Sequence, residues 1–188
     1  MVLIKNLLEF FRDIILLRFE KAPEPVIVPE PIPTPTPVPE PVKIPTRREQ
    51  LYEMAKYCTI PARDISPQDV APDELACVES FDNIYKLTFG TFINGTTRIP
   101  TVSTIQAYKI FIKSKEWVEV TNPLPGDVIV CVTGTGRLSN GHIGIVGKTH
   151  IMSNNSFTGR WEATHTLKTW RSYYEVNGGF KSRYFRVI

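Results

Sequence analysis

Two residues of this sequence have side chains that could together form a nucleophilic site, Cys77 and His142. Cys77 lies within residues 75–81, whose pattern predicts the first turns of a helix, and His142 opens the run 142–146, which is typical of a strand. A helix dipole and a neighbouring imidazolium both lower the pKa of a thiol, because each stabilises the thiolate. The pair therefore predicts a cysteine nucleophile with a histidine as its proton acceptor, the chemistry of a cysteine hydrolase.

The elements that must position this pair follow one another in a simple order from residue 46 onward. Helices are predicted over residues 46–57, with a capping box of Thr46 and Glu49, from just after Pro72 to about residue 87, and from residues 101–104 to about 112. Strands are predicted over residues 127–132, 142–146, 150–155 and 180–188, with a loop at 134–141. Helices followed by an antiparallel sheet indicate an α+β domain rather than an alternating parallel-sheet fold.

An isolated amphipathic helix is predicted at the start of the chain, over residues 1–21. Apolar residues stand at positions 4, 7, 8, 11, 14 and 15, with charged residues largely on the other side. Four charges between positions 5 and 13 argue against a helix that spans a bilayer. We expect this helix to anchor the protein to a membrane surface; self-association, docking on another protein and a poorly formed export signal are the alternatives.

A proline-rich linker follows at residues 22–46 and separates the anchor helix from the predicted domain at 47–188. Proline recurs there at nearly every second or third position up to residue 45, and glycine is absent. Because proline fixes φ and biases the preceding residue to extended geometry, the linker is expected to form a polyproline II spacer. We interpret it as a passive tether, with a docking ligand for an SH3-like groove as the alternative.

The composition is that of a globular protein with a mild positive charge. Of 188 residues, 42% are hydrophobic and 11% aromatic, and the formal net charge is +3. This charge permits an anionic cell wall or membrane surface as a partner without requiring one, and we expect no nucleic-acid partner. The three cysteines, Cys58, Cys77 and Cys131, have no C-x-x-C spacing, so neither a disulfide framework nor a zinc cluster is predicted, and no cofactor is expected.

Four sequence motifs of the predicted domain occur together in one group of enzymes. They are the cysteine that opens a helix, Pro-Leu-Pro-Gly-Asp-Val at 123–128, Gly-His-Ile-Gly-Ile-Val at 141–146 and Asn-Asn-Ser at 154–156. In this combination the chain resembles the CHAP and NlpC-type papain-like cysteine peptidases, over roughly residues 47–188. These families cut bacterial peptidoglycan as amidases or endopeptidases, and many are phage lysins or cell-wall remodelling enzymes. The resemblance implies a papain-like fold and a membrane-associated or virion-associated peptidoglycan hydrolase.

The resemblance also implies a role for each matched residue. Cys77 would attack the scissile carbonyl, while His142 would hold the thiolate as an ion pair and then donate its proton to the leaving amine. The backbone N–H of Cys77, at a helix N-terminus, would be one donor to the oxyanion. A third polar residue should accept a hydrogen bond from the imidazole and fix its orientation.

The identity of this third residue depends on the turn between two predicted strands. If residues 148–149 form a two-residue turn, His142 lies opposite Asn155, whereas a three-residue turn would bring Asn154 opposite. We predict Asn155 as the orienting residue, with Asn154 as the alternative. Ser153 stands where these families frequently carry a carboxylate. An asparagine without that carboxylate would therefore have to orient the imidazole.

Two other functions are compatible with the same fold. A catalytically inactive virion-structural or cell-wall-binding module would use the cleft for recognition, and an intracellular cysteine acyl transferase or deamidase would use the same Cys77 and His142 on another substrate. Cys77 by itself would be read as a small buried hydrophobe, and the context of His142 favours catalysis. Four aromatic residues are assigned to core and rim packing, with contact to a glycan or muropeptide near a cleft as the alternative: Trp161, Trp170, Tyr173 and Tyr174.

Overall fold

The structure of this protein is a computed structural model that describes residues 44–60, 76–132 and 140–188. The predicted anchor helix at 1–21, nearly all of the predicted linker at 22–46 and most of the predicted loop at 134–141 lie outside the described residues. The domain boundaries therefore stay predictions. None of the helices in the described ranges has the length and apolar character needed to cross a membrane. The described residues belong to one compact unit.

The described residues form an α+β arrangement in which three helices precede most of the sheet, as predicted. The helices are α1 (Arg47–Cys58), α2 (Cys77–Phe89), α3 (Thr104–Lys113) and the short α4 (Leu167–Trp170), which continues into a π-helical segment, Arg171–Asn177. The strands are β1 (Trp117–Val120), β2 (Val128–Cys131), β3 (His142–Val146), β4 (Ile151–Asn155), β5 (Arg160–His165) and β6 (Ser182–Val187). Strands β1 and β5 and the helical stretch from α4 to residue 177 are additional to the predicted elements.

The sheet separates two hydrophobic clusters. Its strand order is β1-β6-β2-β3-β4-β5, and all neighbouring strands are antiparallel. Side chains alternate between the faces of a strand, so Ile143 and Ile145 of β3 pack with α1 and α2 on one face. Val146 packs with Trp170 and Tyr174 on the other face. The predicted nucleophile and the predicted histidine therefore come from different layers of the fold.

A capping box starts α1, as the sequence predicts. The hydroxyl of Thr46 accepts the N–H of Glu49 at 3.2 Å, and the carboxylate of Glu49 accepts the N–H of Thr46 at 2.8 Å. These bonds satisfy two of the N–H groups that a helix start leaves without intrahelical partners. Further along α1, the carbonyl oxygen of Ala55 accepts the indole N–H of Trp161 on β5 at 3.2 Å, which ties α1 to the outer part of the sheet.

The Pro-Gly-Asp turn before β2 has a structural role. Gly126 has a φ of +97°, and a side chain at this position would overlap the carbonyl oxygen of Arg48 on α1. Asp127 is fully buried, and its carboxylate accepts two hydrogen bonds from the guanidinium of Arg186 on β6, at 2.8 and 2.7 Å. A third bond, at 2.7 Å, comes from the N–H of Leu124. The residues of this motif therefore hold α1 and β6 against β2.

A buried carboxylate on α2 holds the loop that follows this helix. Asp82 accepts the N–H of Ile93 and the N–H of Thr101, each at 2.6 Å. Burial raises the pKa of Asp82 to about 6, although both hydrogen bonds favour its charged form. The loop is thereby fixed to the helix whose first residue is Cys77.

We expect Gly126→Ala to lower the free energy of unfolding by more than about 2 kcal/mol, because alanine would need the left-handed backbone region and its Cβ would overlap Arg48. Gly95→Ala is the matched control. Gly95 has a φ of +77°, but an added Cβ would meet nothing within 4 Å, so only the backbone cost of about 1–2 kcal/mol should appear. Urea denaturation measures both variants, and equal losses would contradict the role of close packing at Gly126.

Candidate active site

Cys77 is the first residue of α2 and is 7% exposed. No side chain caps this helix at Ala76, so the first N–H groups of the helix remain available to another acceptor. Burial raises the pKa of Cys77 to about 11, although the N–H groups of Ile143, Val78 and Cys77 itself point at the sulfur and favour the thiolate. The thiol therefore sits in a nest of three backbone donors, yet it stays protonated at neutral pH.

The N–H of Ile143 is available to the sulfur because β3 and β4 separate at this point. Pairing between the two strands ends at Met152. The N–H of Gly147 donates to the carbonyl oxygen of His150 across the turn at 2.9 Å, and the N–H groups of a strand point alternately to its two neighbours. The N–H of Ile143, four residues earlier, therefore points to the β4 side, and the sulfur of Cys77 accepts it where the ladder has ended.

His142 is the first residue of β3, 5% exposed, and its imidazole lies against two aromatic rings. It stacks on Tyr174 with ring centroids 5.2 Å apart and planes 11° from parallel, and it contacts Trp170 at 5.5 Å. Burial lowers the pKa of His142 to about 3, with a smaller contribution from the charge of His165. The imidazole is therefore neutral at physiological pH in this structure.

The structure brings Cys77 and His142 to the same end of β3. The sulfur accepts the N–H of the residue next to His142. Burial raises the pKa of Tyr174, and the charge of an ionised Cys77 raises it further. Burial raises the pKa of Cys77 and lowers that of His142 because it removes the solvation that either charge needs, and the ion pair between them stays a prediction.

Asn155 is the residue that the sequence predicts to orient the imidazole. The two-residue turn at 148–149 is present, and the pairing of Ile145 with Met152 has the predicted register, but it ends before His142 and Asn155. The carboxamide of Asn155 takes part in the β4–β5 hairpin: it donates to Glu162 at 3.0 Å and accepts the N–H of Phe157 at 2.9 Å. The turn and the pairing of Ile145 with Met152 agree with the predicted register, while the placement of Asn155 opposite His142 and its orienting role stay predictions.

Asn154, the alternative third residue, faces α2. It is buried, and its carboxamide oxygen accepts the hydroxyl of Ser80 at 3.4 Å, one helical turn after Cys77. Ser153, where a carboxylate is common in the families that the sequence resembles, shares a hydrogen bond of 2.7 Å with Thr164 on β5. Asn154 thus contributes to the contact between β4 and the helix that carries the thiol, and its part in orienting the imidazole also stays a prediction.

The aromatic contacts of His142 are the feature that sequence reasoning missed. Trp170 and Tyr174 were expected to pack in the core, and both are buried, but they also touch the imidazole. The signal available in the sequence is their spacing of four residues, which places two rings on one face of a helix. Nothing in that spacing indicates that β3 would bring a histidine to the same face.

A metal-dependent site is not indicated by the described residues. They contain no group of three or more His, Cys, Asp or Glu side chains that could hold a metal ion. The three cysteines, Cys58, Cys77 and Cys131, are all free and buried.

Comparison with known proteins gives little similarity. No protein-family model and no curated protein matches the chain. Among solved structures, a chain of the type VI native effector-immunity complex Tae3-Tai3 from Ralstonia pickettii matches with 18% sequence identity and a TM-score of 0.44, covering 73% of this chain and 98% of that chain. A similarity of this size does not establish a family for the protein.

We expect the protein to lose stability as the pH falls from 6.5 towards 3. The pKa of His142 is lowered in the folded state from 6.5 to about 3, so its contribution to stability is full above pH 6.5 and is lost as the pH falls through this window. The loss is about 1.4 kcal/mol per pH unit while only the unfolded histidine is protonated. Urea denaturation between pH 7.5 and 4 measures it.

The matched pair for this measurement is His142→Gln and His150→Gln. His150 is exposed in the β3–β4 turn, so its variant should keep the acid dependence, while His142→Gln should lose most of it. His165, whose pKa is also lowered by burial, and Asp82, whose raised pKa acts in the opposite sense between 3.8 and about 6, are present in both variants and cancel. An unchanged slope in His142→Gln would show that this imidazole is not the buried neutral group.

Proposed function

We propose that the protein is a cysteine hydrolase that cleaves an amide or peptide bond of bacterial peptidoglycan, with Cys77 as nucleophile and His142 as proton acceptor. One observation carries the assignment of the pair: the sulfur at the start of α2 accepts the N–H of Ile143, directly beside His142. The choice of peptidoglycan as substrate rests on the motif resemblance. The predicted anchor at 1–21 and linker at 22–46 would attach the enzyme to a membrane surface, a virion or a protein partner and extend its reach.

The proposed chemistry is a proton transfer that accompanies attack. Because both groups are neutral near pH 7, the thiol proton would move to the imidazole of His142 as the sulfur of Cys77 bonds to the scissile carbonyl carbon. The N–H groups of Cys77 and Val78 lie at the sulfur and would be the donors to the oxyanion. The imidazolium would then protonate the leaving amine, and water would hydrolyse the thioester and regenerate the thiol.

The imidazole would be oriented by Asn155, with Asn154 as the alternative. The two-residue turn favours Asn155, but its carboxamide must turn from Glu162 to reach the ring. Asn154 would have to leave the hydroxyl of Ser80. We favour Asn155, which is half-buried at a hairpin end, over the buried Asn154.

We expect Cys77→Ser to lower the rate of digestion of purified cell walls by at least about a hundredfold, because a serine hydroxyl is a far weaker nucleophile than a thiol at the same position. The control is Cys58→Ala, at the end of α1, which removes a buried thiol outside the site and should keep the wild-type rate. Mass spectrometry of the released muropeptides measures the rate and identifies the bond. Digestion by Cys77→Ser at the wild-type rate would reject the proposed nucleophile, and an active thiol without muropeptide products would favour an acyl transferase or deamidase.

A catalytically inactive module is the second candidate, because Cys77 and His142 are only 7% and 5% exposed. In addition, the raised pKa of Cys77 leaves little thiolate at neutral pH. A protein of this kind would use the same fold to bind the cell wall or to build a virion. The buried thiol would then serve only to cap the N–H of Ile143 where β3 and β4 separate.

Alkylation of the native protein by iodoacetamide between pH 6 and 10 distinguishes the two candidates. For an enzyme, we expect labelling of Cys77 near pH 7 that falls about tenfold in His142→Ala, because the imidazole accepts the thiol proton. For an inactive module, labelling should rise only as the pH approaches the raised pKa of about 11 and should not depend on His142. Peptide mass spectrometry reads each cysteine separately, with the buried Cys58 and Cys131 as internal references.

A further inference from the structure

The imidazole of His142 is enclosed by two aromatic rings that the proposed mechanism does not use. The ring of Tyr174 lies nearly parallel to it, with planes 11° apart and centroids at 5.2 Å. The indole of Trp170 contacts the imidazole at 5.5 Å and Tyr174 at 4.4 Å. Three rings in mutual contact restrict one another, because a rotation of the central imidazole would collide with both neighbours.

The indole of Trp170 is itself fixed by hydrogen bonding. Its N–H donates to the hydroxyl of Ser182 at 3.0 Å, and this hydroxyl lies 3.2 Å from the sulfur of Cys131. Cys131 pairs with His142 across β2 and β3, and with Ser182 across β2 and β6. The contacts therefore close into a loop that starts and ends at the imidazole, and they connect it to the centre of the sheet.

The π-helical segment presents Tyr174 to this enclosure. The N–H of Phe180 donates to the carbonyl oxygen of Tyr174, and the N–H of Gly178 donates to that of Tyr173, both at 3.0 Å. Tyr174 is buried at 7% exposure, whereas its neighbour Tyr173 is 47% exposed and stacks on His165. A π-helical turn has poorer hydrogen-bond geometry than an α-helix and is found frequently at functional sites. Here it directs one of two adjacent tyrosines to the histidine.

Two polar side chains at the end of β4 have partners other than the imidazole. The carboxamide of Asn155 is engaged with Glu162 and Phe157, and Ser153 replaces the usual carboxylate and bonds to Thr164. Aromatic faces can supply what these groups do not, since a ring face both restrains a neighbouring ring and attracts a cation.

We infer that Tyr174 is a positioning residue for His142: its ring, supported by Trp170, holds the plane of the imidazole for proton exchange with Cys77. An imidazolium formed in that exchange is stabilised by the faces of the two rings. The inference rests on the proposed function for its catalytic meaning. The contacts themselves are independent of any substrate, and the experiment uses none.

A double-mutant cycle on the intact chain tests this inference. Tyr174→Leu, Tyr174→Phe and Tyr173→Leu are each made in the wild-type and His142→Ala backgrounds, and the alkylation rate of Cys77 by iodoacetamide is measured at pH 7.5. We expect Tyr174→Leu to slow alkylation about tenfold when His142 is present and less than about twofold when it is absent. Tyr174→Phe, which keeps the ring, should have the alkylation rate of its parent background. Tyr173→Leu should likewise have the rate of its parent background. Equal slowing by Tyr174→Leu in both backgrounds would overturn the inference, since Tyr174 would then act on packing or access alone.

The order of the His142 ring provides a second readout by NMR relaxation of its ring carbons. We expect a rigid ring in the wild type and in Tyr174→Phe, and a mobile ring in Tyr174→Leu, or in Tyr174→Met if the leucine variant does not fold. A ring of unchanged order without the tyrosine overturns the inference even if Cys77 resists alkylation. Failure of the wild type to digest cell walls, by contrast, would count against the proposed function. The alkylation and NMR measurements would still test whether Tyr174 positions His142.

Discussion

The candidate site depends on the place where β3 and β4 stop pairing. Beyond Met152 the ladder ends, and the N–H of Ile143, which a continuous ladder would pair with β4, donates to the sulfur of Cys77. This contact joins the start of α2 to the sheet. The residue that contacts the thiol, Ile143, directly follows His142 in the sequence. A ladder extended by three residues would satisfy the same N–H within the sheet and exclude the sulfur. The thiol position is thus set by a backbone group that needs a partner, because a buried N–H without one is costly.

Burial has opposite effects on the geometry and on the charge of this site. It packs the imidazole of His142 between Tyr174 and Trp170 and surrounds the sulfur with backbone donors. The same burial opposes both the thiolate and the imidazolium, so the pKa of Cys77 is raised and that of His142 is lowered. The three N–H groups, two at the start of α2 and one on β3, are too weak to reverse this effect. A site of this kind favours chemistry in which a proton moves between two neutral groups over chemistry that begins from a stable ion pair.

The motifs behind the sequence resemblance divide into two physical roles. The Pro-Gly-Asp turn is structural, since Gly126 allows α1 to approach and Asp127 binds Arg186 on β6. The Gly-His-Ile-Gly-Ile-Val motif carries the candidate chemistry at His142, the first residue of β3. Its second glycine, Gly144, leaves the space that Ile151 of β4 occupies. The two motifs therefore act through different residues, one on the packing of the sheet and the other at the candidate site.

The sequence by itself determined the features that local interactions fix. The capping box of α1, the position of Cys77 in the first turn of α2 and the two-residue turn that sets the β3–β4 register are encoded within a few residues of one another, as is the helices-first order of an α+β domain. Only the tertiary structure decided what these elements meet. Only one residue of β1 and one of β5 is buried, so these strands form because β6 and β4 offer edges to pair with. The partners of Asn155, the rings around His142 and the burial of the thiol likewise come from segments that are distant in the sequence, and no local pattern records which distant side chain will fill a given face.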